Sequence, residues 1–189
     1  MDTSIDIITD TAALEALHRS EIDQQISTAK AYPRSITSAL REAETLATLD
    51  HETAASCFYC LPRGGKKIEG PSVRLAEIVA SSWGNLRYGA RVVQIDAKFI
   101  TAQGACHDLE KNVSATYEVR RRITDSKGRR YGDDMITTTA NAACSIALRN
   151  AIFKVIPFAI VKRVYDMARH ASLPGGATMA AKRDAALGW

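Results

Sequence analysis

The chain has 189 residues, 46% hydrophobic and 24% charged, which supports one globular domain with a real core plus tails. No apolar run reaches the ~18 residues of a membrane span. The acidic N-terminus lacks the basic-then-apolar order of a secretion signal, so the expected compartment is the cytoplasm. The net charge of +4 is unevenly spread: residues 1–23 carry six acids (Asp2, Asp6, Asp10, Glu15, Glu21, Asp23) against Arg19, a net of −5, leaving +9 on the rest. A basic body favours a polyanionic partner. The acidic leader reads as a solvated extension that can also compete with the polyanion or dock on a neighbouring subunit.

In chain order, residues 1–18 form an acidic N-terminal segment, 19–171 a single folded domain and 172–189 a tail. Ile22, Ile26 and Ala29 recur at helical spacing. Pro33 suits the start of a second helix through Ile36, Leu40, Ala43 and Ala47, and Asp50 caps a short third one. The run Phe58–Leu61 meets a Pro62-Arg63-Gly64-Gly65-Lys66-Lys67 turn, with Lys67 to Glu69 returning as a hairpin arm. Ser72 caps a helix over Val73, Ala76, Val79 and Ala80, which Trp83-Gly84-Asn85 stops.

The period then falls to two. Segments beginning at Leu86, Phe99 and Val113 each alternate as strands. Their joints, Asp96-Ala97-Lys98 and His107 to Asn112, are too short for a parallel crossover, so the strands pair antiparallel. A long helix starts near Asp133 or Asp134, with a small-residue stripe of Ala140, Ala143, Ala147 and Ala151 suited to close approach. Pro157 kinks or ends it, and a further helix reaches about Ala171. The fold class is therefore α+β: a three-stranded antiparallel meander with a long packing helix (a β-β-β-α core) plus N-terminal helices.

Several chemistries lack their residues. Gly64-Gly65-Lys66-Lys67 fails as a phosphate-binding loop, because Cys60 replaces the first glycine and Lys67 the magnesium-binding hydroxyl. Cys57, Cys60, Cys106 and Cys144 include one CxxC and no second pair, so a zinc ribbon is not expected; buried, reduced thiols are. No cofactor is expected. Asp96-Ala97-Lys98 and His107-Asp108-Leu109-Glu110 leave a metal-dependent nuclease as an alternative, with Asp96 otherwise a turn-former. A non-catalytic protein-binding scaffold is a further alternative.

The strongest local signal is cationic. Residues 111–131 hold Lys111, Arg120, Arg121, Arg122, Lys127, Arg129 and Arg130 against Glu118 and Asp125, a net of +5. Alternation sends Arg120 and Arg122 to one face and Arg121 to the other. Tyr131 stands beside the stripe as a base-stacking candidate, whereas Trp83 and Tyr117 are expected in the core. Lys66, Lys67 and Arg74 form a second group, and Arg149 and Lys154 on the long helix a third.

Gly70-Pro71-Ser72-Val73-Arg74-Leu75-Ala76-Glu77, Trp83-Gly84-Asn85, Gly89, Asp108-Leu109-Glu110-Lys111-Asn112, Asn141, Ala143, Arg149, Ala151 and Ile156-Pro157 together resemble the core of Erf-type phage annealing proteins. The resemblance covers roughly residues 70–157; His107 stands where that pattern has an aromatic. It implies the superfamily of Erf, RecT and Red-beta: oligomeric recombinases that anneal single-stranded DNA without ATP and are not enzymes. It further implies a basic groove between meander and long helix, aligned between subunits, holding single-stranded DNA and the annealed duplex intermediate. Lys66, Lys67, Arg74, Arg120, Arg122, Lys127, Arg129, Arg130, Arg149 and Lys154 are the candidate DNA-binding residues. Candidate protein partners are further copies of the chain, a phage exonuclease and a host single-strand binding protein.

Overall fold

The computed structural model describes residues 11–173 and 178–187. Asp2, Asp6 and Asp10 of the acidic leader, and Pro174-Gly175-Gly176, lie outside the described residues. The first helix, α1 (Thr11–Ala31), begins well before the Ile22–Ala29 stripe and buries only Ala29. Ser35 caps α2 (Ile36–Ala47), so this helix starts three residues after Pro33; the cap hydroxyl accepts from the Ser38 N–H. Asp50 caps α3 (His51–Ser56) by accepting from the Thr53 N–H at 2.7 Å. The glycine turn closes a hairpin of β1 (Phe58–Arg63) and β2 (Lys66–Pro71). Ser72 then caps α4 (Val73–Trp83), which ends where Gly84 takes a positive φ of 66°.

The meander is β3 (Leu86–Ile95), β4 (Phe99–Asp108) and β5 (Val113–Arg122), antiparallel in sheet order β3-β4-β5. The joints are short because a side chain closes the first of them. Asp96 Oδ1 accepts from the N–H groups of Lys98 and Phe99, each at 2.7 Å. This is the turn-forming role expected of Asp96. Next come α5 (Asp133–Val155) and α6 (Phe158–Ala171), separated at Pro157. A short α7 (Met179–Leu187) occupies part of the stretch read as tail.

Burial alternates strictly along β4: Ile100, Ala102, Gly104, Cys106 and Asp108 face α5, while Phe99, Thr101, Gln103, Ala105 and His107 face away. The small stripe of α5 meets the small residues of the strand. Ala143 and Ala147 pack on Ala102, and a Cβ at Gly104 would lie 2.2 Å from the Ala147 carbonyl oxygen. Helix and strand backbones therefore touch. A second cluster joins α2, α4, α5 and α6 through Ala43, Leu75, Val79, Trp83, Ile152 and Val164. Gly104→Ala is expected to cost about 1–3 kcal/mol, because neither backbone can retreat. A urea midpoint unchanged from wild type would contradict that contact.

Tyr117, expected in the core, is instead partly open, because α5 passes beside it and leaves its ring under the Lys154 ammonium (5.7 Å to the ring centroid). Cys60 is likewise exposed on the hairpin and not buried. Cys57 and Cys106 are buried, and loss of solvation pushes both thiols up to about 11.

Candidate nucleic-acid interface

The meander decides where the cations point. Directly paired residues of an antiparallel ladder share a face. Arg122 pairs with Phe99 and Arg120 with Thr101, so both arginines lie on the face away from α5. Arg121 pairs with Ile100 and lies on the α5 side. The separation expected from alternation is thus present.

The open face also receives Arg87 and Arg91 from β3, paired with His107 and Gln103. These four arginines were not foreseen as one surface, because the obvious charge run, Arg120-Arg121-Arg122, lies on one strand, while Arg87 and Arg91 stand singly on another about 30 residues away. The available signal was the shared parity of Arg87, Gly89 and Arg91 in the first strand. Between the edges lies a shallow concavity of about 540 Å³, with Gly89 and Ala105 among its lining residues and Gln103, His107, Ser114 and Thr116 as polar groups. Ile22 of α1 lines it too, and Arg87 donates to Gln25 Oε1.

The acids near this face are largely engaged. Asp96 accepts from Arg120 at 3.2 Å, and Arg130 donates to the Asp96 carbonyl at 2.8 Å. The Lys98 and Phe99 N–H groups, then Arg120, hold the Asp96 carboxyl below its usual range. Arg120 also lies 4.1 Å over the Phe99 ring. In the following turn, Asp125 accepts from the N–H groups of Lys127 and Arg129 and pairs with the Arg129 guanidinium at 2.9 Å. The Arg129 N–H is the leading cause of the lowered Asp125 carboxyl. Arg91 and Arg122 are exposed and have no partner among the described residues.

The other candidates sit elsewhere. Lys66 and Lys67 are on the hairpin, opposite Arg63 and Pro62. Arg74 on α4 pairs with Glu77 at 2.7 Å. Arg149 stacks 5.2 Å from the Tyr59 ring and bonds Asn150, lining an apolar groove of about 620 Å³ between hairpin and α5. A groove between meander and α5, as the resemblance implies, has no room at Gly104, where the two backbones meet. The ten candidates therefore do not form one track within a chain.

The Asp108-Leu109-Glu110 run has a different use. Asp108 is 4% exposed, and its two carboxylate oxygens each accept from Arg34 at 2.6 Å. Arg34 also donates to Glu110 from Nε at 2.8 Å and from its backbone N–H at 2.9 Å. Asn85 donates to Glu110 and to the Tyr32 carbonyl, and Trp83 lies 4.8 Å beneath the guanidinium. Burial raises the Glu110 carboxyl, but the bonds from Asn85 and Arg34 outweigh it and hold the group below its usual range. These carboxylates form a lock with Arg34 and Asn85. Among the described residues, no group of three or more His, Cys, Asp or Glu could hold a metal ion. Arg34 was missed because nothing local marks a partner 74 residues away.

Among the described residues no helix is long and apolar enough to cross a membrane. No protein-family model, curated protein or solved structure matches the chain.

Proposed function

We propose that this chain binds single-stranded DNA on the sheet face turned away from α5 and anneals complementary strands without nucleotide hydrolysis. The observation that carries the reading is the placement of Arg87, Arg91, Arg120 and Arg122 on that one face, on both edge strands, where α1 reaches only the Arg87 end through Ile22 and Gln25. Small residues between them let a sugar-phosphate chain approach closely. Contacts from arginine to phosphate carry no base code, so a strand held by its phosphates keeps its bases free to pair. Pairing supplies about 1.4 kcal/mol per step, which makes a nucleotide fuel unnecessary. In this reading the protein is a phage recombinase acting as a homo-oligomer in the bacterial cytoplasm, with a phage exonuclease or a host single-strand binding protein as its candidate partner.

Complementary dye-labelled oligonucleotides, mixed without ATP, are expected to pair faster with the protein than spontaneously. The acceleration should fade as salt rises, because phosphate contacts release counterions. A rate equal to the spontaneous one at low salt would overturn annealing; strand cleavage with magnesium would replace it with the nuclease alternative.

A further inference from the structure

The ladder registers put Gly89, Ala105 and Thr116 in one row on the sheet face turned away from α5. The rows to either side, about 7 Å off, are Arg87, His107 and Ser114, and Arg91, Gln103 and Glu118. A trough with a floor of short side chains therefore crosses the three strands between two walls of longer, polar ones. Packing does not demand the smallness at its β3 end. Gly89 has no positive φ, and no atom of the described residues lies within 4 Å of where its Cβ would stand. A glycine that the strand itself does not need leaves the floor open to a close approach.

In the free chain α1 overhangs this trough. Ile22 lines the concavity, and Gln25, one turn on, accepts from Arg87 at 3.3 Å. The hold is slight: Ala29 is the one buried residue of α1, Ile22 and Ile26 are half-buried, and Thr11–Glu21 are all exposed. The chain leaves helical conformation between Ala31 and Ile36, where Arg34 is tied to Asp108 and Glu110.

We propose that α1 is a displaceable strap that competes with single-stranded DNA for Arg87 and for the space above Gly89. The strap rests on the DNA-binding reading of this face and adds its regulation. In the closed chain the Arg87 guanidinium bonds a neutral amide; a phosphate in its place makes a charge-assisted bond roughly twice as strong. Glu21 and Asp23 flank Ile22 and are exposed, so a closed α1 brings charge of the phosphates' own sign to their path. The far end of the face stays open, with Arg91 and Arg122 exposed and without a partner among the described residues. A strand gains its first hold there and then takes Arg87 from Gln25. Because Arg34 stays locked, α1 swings about the non-helical segment before α2 and remains attached.

Anisotropy titrations of a labelled oligothymidine against Ile22→Ser combined with Gln25→Ala test the competition without altering any charge. Release of the strap is expected to tighten binding about 3–10-fold, as for a wild type roughly 10–30% open, with the salt slope unchanged. Leu17→Ser, on the exposed part of α1, is the control and should bind as wild type does. Hydrogen exchange on the full chain reads the movement itself: with saturating oligonucleotide, amides around Ile22 should exchange faster and those of β3 and β5 more slowly. A double variant that binds no tighter than wild type overturns the strap. So does slower exchange in α1 on adding DNA, which would make the helix part of the DNA site. Equal tightening by Leu17→Ser counts against it too, since any weakening of the helix would then suffice. If neither wild type nor the double variant holds the oligonucleotide at low salt, the DNA-binding reading fails and the strap with it. Binding by the double variant alone supports both.

Discussion

Arg34→Ala is expected to cost about 3–5 kcal/mol of stability, a drop of roughly 6–20 °C in melting temperature for a domain of this size. The guanidinium donates three bonds to Asp108 and Glu110 from a site where its side chain is 6% exposed, whereas the backbone N–H bond to Glu110 survives the substitution. Removing it leaves two carboxylates beneath the surface without their counter-ion, and the desolvation they suffered goes uncompensated. The lock joins three separate pieces of chain: the segment before α2, the Asn85 corner and the β4–β5 turn. Its loss should therefore loosen the N-terminal helices from the sheet. Arg34→Ala with Asp108→Asn and Glu110→Gln removes the stranded charges and should recover part of the loss. Thermal melts of wild type, single and triple variants check this; a single variant within a degree of wild type would show that the lock is dispensable.

Arg120→Ala with Arg122→Ala is expected to weaken single-strand binding by about 2 kcal/mol, ~30-fold in Kd, and to reduce the slope of log K against log salt by about 1.4. The two arginines are not equivalent. Arg122 has no partner among the described residues, whereas Arg120 already pairs with Asp96 and stacks on Phe99, so its removal also releases an acid next to the track. Fluorescence-anisotropy titrations at several salt concentrations separate the effects, since only lost phosphate contacts change the slope. Arg149→Ala with Lys154→Ala is the matching control on the opposite side of the sheet. A loss confined to that control would move the DNA site to the hairpin–α5 groove.

Much of the fold was readable because it is set by neighbours in sequence. Alternation over Leu86–Val92 and Val113–Arg120 requires strands, and joints too short for a crossover force them antiparallel. Ser72 and Asp50 cap their helices through bonds to residues three positions on. The start of α2 was misplaced because Ser35, two residues past Pro33, supplies the hydroxyl that a helix start needs.

The sequence alone determined the strands, their antiparallel pairing, the long small-residue helix and the sorting of Arg120 and Arg122 from Arg121, because each depends on the period of a local backbone conformation. Only the tertiary structure decided which sheet face α5 covers, that Arg87 and Arg91 join the arginines of β5, and that Arg34 claims Asp108 and Glu110. Those outcomes depend on packing between distant segments: backbone contact at Gly104 seats the helix on one face, and a buried carboxylate pair selects its cation from wherever the folded chain brings one.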